Sequence, residues 1–477
     1  MAITTAFDGA DGGYRLARKG LHSGTADSLA ARELQLLWRR SHHLCRNNPA
    51  AVTAKNRLLA HWIGTGIKVK WDNPTTQKLW DEFVKNPSID GHGTLLNIQA
   101  LWAGTFFESG EVFTRMIFQK SEAKIPLKLQ VIEPEQLDPL YSVLPDTRYG
   151  ITFDAWGKPL KYNFFKKPQN DGNFADGIQR VPVPAEDVLH IFSRERPGQW
   201  RGIPRLTAAI LAIYEMDELT DATLVKQKAA QAVGWIIKKR SSGSAPIVGN
   251  MDSLSNTIVP GAEEEESSTQ IQKVVPGGVH YLEEDEDFEF AETTDIGNNF
   301  VTLLEHQWRL IASCLDVTYE QLTGDMSKVN FSSIRAGLIE FRRRVSMVQQ
   351  LFFINLGMEP LLKRFKEYVA VYSTQAAATS SYKYVFPKQE WVDPLKDSQA
   401  DLLEVRAGFA TLQEKLAERG VEDIETHLQQ LAKEQGYSIV LDSNPVHNTM
   451  DKTQVTDQQQ QPEQQSPASS KQTTQGA

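Results

Sequence analysis

The side chains able to do chemistry fall into a few short clusters. His42-His43 with Cys45 offers imidazole and thiol groups of the kind that hold zinc. The acidic runs 263–266 and 283–287 (Glu283, Glu284, Asp285, Glu286, Asp287) offer carboxylates of the kind that hold a hard cation. Neither spacing suits a metal. Adjacent helical histidines point in different directions with no second cluster at ligand spacing, and the carboxylates lack the alternation of a calcium loop. These groups are expected to be packing or solvated surface residues, with no metal and no cofactor. No Gly-x-x-x-x-Gly-Lys-Ser/Thr loop is present, and Gly64-Thr65-Gly66 lacks the third glycine of a dinucleotide fingerprint. An ordinary P-loop ATPase is therefore excluded. No Gly-x-Ser-x-Gly elbow occurs either, although spacing alone leaves open a triad assembled by the fold.

The remaining candidates lie between 308 and 344. A polar loop at 318–331 carries Asp325, Met326, Ser327, Lys328 and Asn330. Asp325 with Lys328 reads either as a pair that steadies the loop or as a loop tip turned toward nucleic acid. Behind it come Arg335, Arg342, Arg343 and Arg344. Three consecutive arginines fan over about 200° of a helix. Salt bridges between subunits are the first expectation for them and contact with DNA phosphates the second. Ser332 is a suitable N-cap, and Ile334, Leu338, Phe341, Val345, Val348 and Phe352 recur at steps of three and four. That spacing predicts a buried stripe on a long helix. A loop fixed between two long helices is a mechanical element, suited to touching something that moves past it.

The flanking pattern supplies the scaffold. Residues 1–27 read as a mobile arm rich in Gly, Ser, Thr and Asp. Helices are expected at 28–47, 49–63, 75–85 and 93–107. Strands are expected at 67–71, 112–118, 127–132, 149–153, 161–165 and 188–192, giving an α+β domain over the first two hundred residues. A long helix should start at Pro204 and end near Val233. Residues 234–292 then change to strands and acidic loops, and helix resumes near Ile296. A strand near 382–386 precedes a helical stretch, 394–436, broken near Arg419-Gly420. The Gln-, Ser- and Thr-rich tail from about Asn444 is expected to be disordered.

Composition narrows the class without choosing the function. The 477 residues are 40% hydrophobic and 23% charged, enough for two or three domains with a sizeable core. No apolar run of membrane-spanning length and no charged-then-apolar leader is evident, so neither a membrane nor secretion is expected. Two cysteines are too few for a disulfide framework. A reducing cytoplasm during folding is the simplest expectation. The net charge of −9 argues against tight static binding of DNA. It does not argue against a conduit, which must hold DNA weakly enough to let it slide.

Several blocks together resemble the lambda-type tailed-phage portal family. They are Arg46-Asn47-Asn48-Pro49 through Gly64-Thr65-Gly66-Ile67; Asp90-Gly91 through Glu108-Ser109-Gly110-Glu111-Val112-Phe113; and His190-Ile191-Phe192 with Arg196-Pro197-Gly198-Gln199 and Arg201-Gly202-Ile203-Pro204. Further on come Tyr319-Glu320-Gln321-Leu322-Thr323-Gly324-Asp325, Asn330-Phe331-Ser332-Ser333-Ile334-Arg335-Ala336, and Trp391-Val392-Asp393-Pro394. Similarity runs in order over roughly 28–440.

The resemblance implies a portal-type fold: a wing at 28–203, a stem helix at 204–233, a small mixed α/β clip at 234–292 and a second stem helix at 293–316. A tunnel loop at 317–331, a long helix returning to the wing at 332–393, a helical crown at 394–440 and a tail at 441–477 complete it. It further implies a non-enzymatic dodecameric ring at one capsid vertex of the virion, through which double-stranded DNA is packaged and ejected. Its implied partners are the major capsid protein, the large terminase subunit and head-tail adaptor proteins. On that plan Asp325, Met326, Ser327, Lys328 and Asn330 face DNA, Arg335, Arg342, Arg343 and Arg344 serve a subunit interface or DNA, and 283–287 forms an acidic clip surface. A head-tail or baseplate ring without DNA passage, and a nucleic-acid-processing enzyme with an unrecognised carboxylate site, stand as the alternatives.

Overall fold

The computed structural model describes residues 24–120, 124–143, 145–167, 179–232, 235–239, 286–290, 298–373, 375–387, 394–418, 421 and 424–435. The chain divides into two compact units, Met1–Thr207 with Asp325–Ala477, and Ala208–Gly324.

The first unit begins with α1 (Ala26–Asn47), capped by Thr25, whose Oγ1 accepts from the Ser28 N–H at 3.3 Å. Leu34, Trp38 and Leu44 bury one face of it. Asn48 ends α1 and caps α2 (Pro49–Trp62), accepting from the Ala51 N–H at 3.0 Å. Pro49 occupies the first turn, where a missing N–H costs nothing. After β1 (Lys68–Trp71) and α3 (Pro74–Lys85) comes α4 (Leu95–Ser109). Ile98, Trp102, Ala103, Phe106 and Phe107 are all buried, as suits a helix enclosed on several sides.

The strands that follow are β2 (Glu111–Phe118), β3 (Leu127–Ile132), β4 (Thr147–Arg148), β5 (Ile151–Phe153), β6 (Pro159–Phe165), β7 (Arg180–Pro184) and β8 (Val188–Phe192). β2 lies between β3 and β8 in a three-stranded antiparallel sheet, and β4-β5-β6-β7 form a meander. Phe113, Leu137, Ile151, Tyr162, Phe164 and Val183 share one apolar cluster between them. The sequence pattern misses β7 because Pro182 and Pro184 interrupt it. The strand sits at the sheet edge, where proline is tolerated.

The second unit contains α5 (Ile210–Ala232), the antiparallel pair β9 (Trp235–Lys239) and β10 (Glu286–Phe290), α6 (Asn298–Cys314) and the short α7 (Tyr319–Thr323). The helix expected from Pro204 therefore starts six residues later. The Arg205 N–H is spent on the Phe107 carbonyl at 3.1 Å, and both the N–H and Oγ1 of Thr207 go to the Pro204 carbonyl. Those bonds fold 204–209 into turns instead.

The first unit resumes with α8 (Phe331–Val348), a π-helical segment Gln349–Met358, and α9 (Glu359–Tyr372). The single long helix expected here is thus interrupted. Pro360 supplies the reason: it lacks an N–H and its ring crowds the carbonyl four residues back, which a wider turn relieves. The π segment sets Phe353, Ile354, Gly357 and Met358 into the core, with Gly357 so close that a Cβ there would lie 3.0 Å from Trp102 and Ile191. α10 (Gln375–Ala378) leads to β11 (Tyr382–Val385), which pairs antiparallel with β1 in the register Trp71 to Tyr382. α11 (Pro394–Arg406), α12 (Leu412–Glu418) and α13 (Ile424–Gln435) follow, with a break at Gly408 (φ +76°), while the break expected at Arg419-Gly420 lies outside the described residues. The described chain is mixed α and β, as the pattern predicts.

Candidate functional site

The loop expected at 318–331 is more structured than its composition suggests. Residues 319–323 form α7, where the Gln321 N–H donates to Thr318 Oγ1 at 3.2 Å and the Thr318 N–H donates back to Gln321 Oε1 at 3.0 Å. Gly324 ends it at φ +75°. The segment 325–330 then leads into α8 in the other unit. Asp325 Oδ1 accepts from the Ser327 N–H at 2.9 Å. Hydrogen bonds from Ser327, and then the nearby Lys328 charge, hold the Asp325 carboxyl below the usual carboxylate range. Met326 is 59% exposed, and Ser327, Lys328 and Asn330 are exposed as well. Asn330, not Ser332, caps α8, its Oδ1 accepting from the Ser333 N–H at 2.8 Å.

The arginines on α8 turn to different neighbours. Arg335 reaches Asp397 on α11 at 2.9 Å. Arg344 lies 3.9 Å from Glu340 one turn earlier, an exposed pair of little energetic weight. Arg342 is near His61, whose ring meets Phe341 edge-on at 4.7 Å; burial first, then the Arg342 and Arg57 charges, lower the His61 pKa. Arg343 is exposed. The expected buried stripe narrows to Phe341, Val345 and Val348, since Ile334, Leu338 and Phe352 are only half-buried.

Of the acidic clusters, 263–266 and Glu283, Glu284 and Asp285 lie outside the described residues. Glu286 and Asp287 occupy β10 in register with Lys239 and Lys238 of β9. His43 is exposed while Cys45 is buried, with its thiol pushed up to about 12 by burial and by Glu108. Among the described residues no three His, Cys, Asp or Glu side chains are grouped to hold a metal.

Sequence spacing gave no sign of the two polar assemblies the fold creates. The first is a cleft of about 180 Å³ lined by His42, Arg46, Thr105, Glu108, Ser109 and Glu135. His42 Nε2 lies 2.9 Å from Ser109 Oγ, and His42 Nδ1 lies 3.3 Å from Glu135 Oε1. The order resembles a serine triad, but the surroundings oppose acyl transfer. Ser109 is the last residue of α4, where the helix end presents negative partial charge to any developing oxyanion. The neighbouring Gly110 N–H is already given to the Phe106 carbonyl at 3.0 Å.

The second assembly is a buried ion-pair junction. Arg201 and Glu111 are both fully buried; Arg201 Nη2 donates to Glu111 Oε1 at 2.7 Å and Nε at 2.9 Å. Arg201 also donates to the Tyr149 and Leu137 carbonyls, each at 3.0 Å. Burial alone would raise the Glu111 carboxyl, but Arg201 and His190 outweigh it and leave it lowered. Burial depresses the His190 pKa. The neutral ring can then donate from Nε2 to Glu111 Oε2 (3.2 Å) and accept the Tyr162 hydroxyl at Nδ1 (3.3 Å). The Gly202 N–H adds a 2.8 Å bond to Glu111 Oε2, and Asp27 accepts from the Trp200 and Arg201 N–H groups. Gly110-Glu111 and Arg201-Gly202, distant in sequence, are thus packed backbone to backbone. The usable signal was that both pairs stand in the blocks that carry the family resemblance.

Residues 13–349 match the sequence profile of the phage portal proteins, lambda family. The chain belongs to that family. A probable portal protein of Halomonas phage phiHAP-1 is 23% identical over 403 residues, 80% of this chain and 73% of that protein. The portal protein of Escherichia phage N15 is 24% identical over 281 residues, 53% of this chain and 51% of that one. Solved structures to which the chain is similar include the neck of a native gene transfer agent particle computed with C12 symmetry. It has a TM-score of 0.47, 13% identity, and coverage of 82% of this chain and 94% of that one. An HK97-family phage portal protein from Corynebacterium diphtheriae gives a TM-score of 0.32 at 14% identity, covering 74% and 94%. Portal proteins are structural parts of the phage particle and not enzymes.

Proposed function

We propose that this portal-family chain forms a dodecameric ring at one capsid vertex and that double-stranded DNA passes through the ring during packaging and ejection. The observation that carries this reading is the family match over 13–349. On it, 28–203 serves as wing, α5 and α6 as stem helices, 234–292 as clip, and α11, α12 and α13 as crown. The clip meets the terminase motor and then the head-tail adaptors, and the wing meets the major capsid protein. The segment 325–330 lines the channel. Its exposure and its capped ends support that role, because functional loops are commonly short polar segments fixed on rigid elements.

The test is mass measurement of the purified chain by light scattering, joined to a particle assay in which the portal gene is replaced. Closed rings, together with capsids that fail to fill when the ring is absent, are the expected results. A folded chain that stays monomeric across concentration and salt would overturn the reading. Rings whose channel can be plugged without loss of packaged DNA would favour a head-tail ring through which no DNA passes.

A further inference from the structure

Two helices in different units carry exposed stripes of the same period, the same length and opposite charge. On α1, Arg32, Leu36, Arg39, His43 and Arg46 follow one another at steps of four, three, four and three, and all are exposed. On α5, Leu211, Glu215, Glu218, Ala222 and Val225 follow the same steps and are exposed too. That spacing is the seam of a two-helix contact, and each stripe runs about 21 Å along its helix. Leu36 is 46% exposed in the basic stripe, and Leu211 and Val225 are 68% and 65% exposed in the acidic one. Among the described residues Arg32, Arg39, Arg46, Glu215 and Glu218 make no ion pair within the chain. A merely solvated face commonly mixes signs at helical spacing; each of these carries one sign along its seam.

We propose that α1 of one copy docks antiparallel on α5 of the neighbouring copy in the ring, with Arg39 paired to Glu218, Leu36 packed on Ala222, and His43 facing Glu215. Arg32 then meets Val225 and Arg46 meets Leu211 through their alkyl stems. The parallel alignment would instead set Leu36 against Glu215, which leaves a carboxylate desolvated by leucine. The contact joins unlike surfaces, the kind of interface that closes into a ring when repeated. It also answers a difficulty of composition: copies with a net charge of −9 repel one another unless opposite signs meet at the interface. A nucleic-acid backbone would use the arginines but not the leucine at the second step of the stripe. An apolar residue among arginines is the composition of a protein interface.

This pairing rests on the ring reading, and the experiment separates the two. Full-length wild type, Arg39→Glu, Glu218→Arg and the double variant would be compared by light scattering over a dilution series, with circular dichroism to confirm folding. Each single reversal should raise the concentration needed for half-maximal ring formation by about tenfold, and the double variant should recover most of it. Single variants that form rings like wild type overturn the pairing and leave the ring reading intact. Disruption by Arg39→Glu that Glu218→Arg fails to rescue rejects α5 as the partner. Normal rings that lose retention of a duplex DNA fragment in Arg39→Glu assign the α1 stripe to nucleic acid instead. A wild type that never forms rings overturns both readings together.

Discussion

Arg201 donates to Glu111 at 2.7 Å across 90 residues of sequence, with both side chains fully removed from solvent. The pair fastens the segment that precedes α5 to β2, the middle strand of the three-stranded sheet. Gly202 and Gly110 let the two backbones touch there, and Asp27 draws in the start of α1. A charged pair costs desolvation energy wherever it is buried, so its worth here lies in fixing one arrangement of three chain segments.

Removing one partner should therefore be far worse than removing both. Glu111→Leu or Arg201→Met leaves a charge buried without its counter-ion, and each should cost about 3–5 kcal/mol. The double variant Glu111→Leu with Arg201→Met should recover a large part of that loss. Denaturant unfolding of the four proteins gives the cycle; additive losses would show that the pair is not coupled.

The same junction should make stability depend on pH. The His190 pKa is lowered by burial, so the unfolded chain takes up a proton near the ordinary histidine value of about 6.5 while the folded chain does not. Stability should be fully present above that value and fall as pH drops through it, until the lower folded value is reached. Glu111, lowered in the folded state, adds a second loss at more acid pH, as pH falls from the ordinary carboxylate value through its own. His190→Gln should shrink the first loss to the part that His61, also lowered by burial, contributes, and keep the second. Melting temperatures across pH 5–8 that change equally in wild type and His190→Gln would exclude His190 as the source.

Glycine substitutions should separate contact from conformation. A Cβ on Gly202 would lie 2.2 Å from the Gly110 carbonyl oxygen, and one on Gly110, already at φ +82°, would lie 2.1 Å from the Ile203 backbone. Neither neighbour can yield, so alanine at either place should abolish folding or lower the melting temperature severely. Gly157, at φ +81°, has nothing within 4 Å of its Cβ direction, so Gly157→Ala should cost only the backbone strain, about 1 kcal/mol. Similar melting temperatures for Gly202→Ala and Gly157→Ala would contradict the close approach.

Much of this architecture is legible in local chemistry. Asn48-Pro49 announces a cap and a helix start, and the apolar run in 112–118 and the alternation in 127–132 announce strands, because those signals depend only on near neighbours. The pattern fails where distant contacts decide. Pro204 reads as a helix start, yet its carbonyl is taken by the N–H and Oγ1 of Thr207 in a turn, beside the Phe107 carbonyl that holds the Arg205 N–H. Pro360 is an exception, a local signal that widens a helix whose apolar spacing alone reads as continuous. Glu111, His190 and Arg201 lie on separate strands and loops, so no spacing rule brings them together. Of the loop, composition shows that 325–330 cannot form core, but not that Asp325 is spent partly on holding the turn.

That use of Asp325 shapes the last prediction. Each copy brings Lys328 and a carboxylate whose charge is retained, so the loop contributes little net charge where the proposed channel meets DNA. Asp325→Asn keeps the Oδ1 that accepts from the Ser327 N–H and removes the negative charge, turning the loop basic. Lys328→Ala does the reverse. Both sites lie on an exposed segment, and stability should change by no more than about 0.5 kcal/mol. Every phosphate newly neutralised or newly released should change the slope of log affinity against log salt by about 0.9. Lys328→Ala, or a shortened 325–330 segment, should thus give rings and capsids of normal mass with less DNA packaged or retained. Asp325→Asn should hold DNA more firmly and slow its ejection, an effect that weakens as salt rises. DNA content per particle and ejection rate across a salt series are the measurements. Unchanged values for both substitutions would remove this loop from DNA handling, and monomeric variant protein would make its role one of assembly.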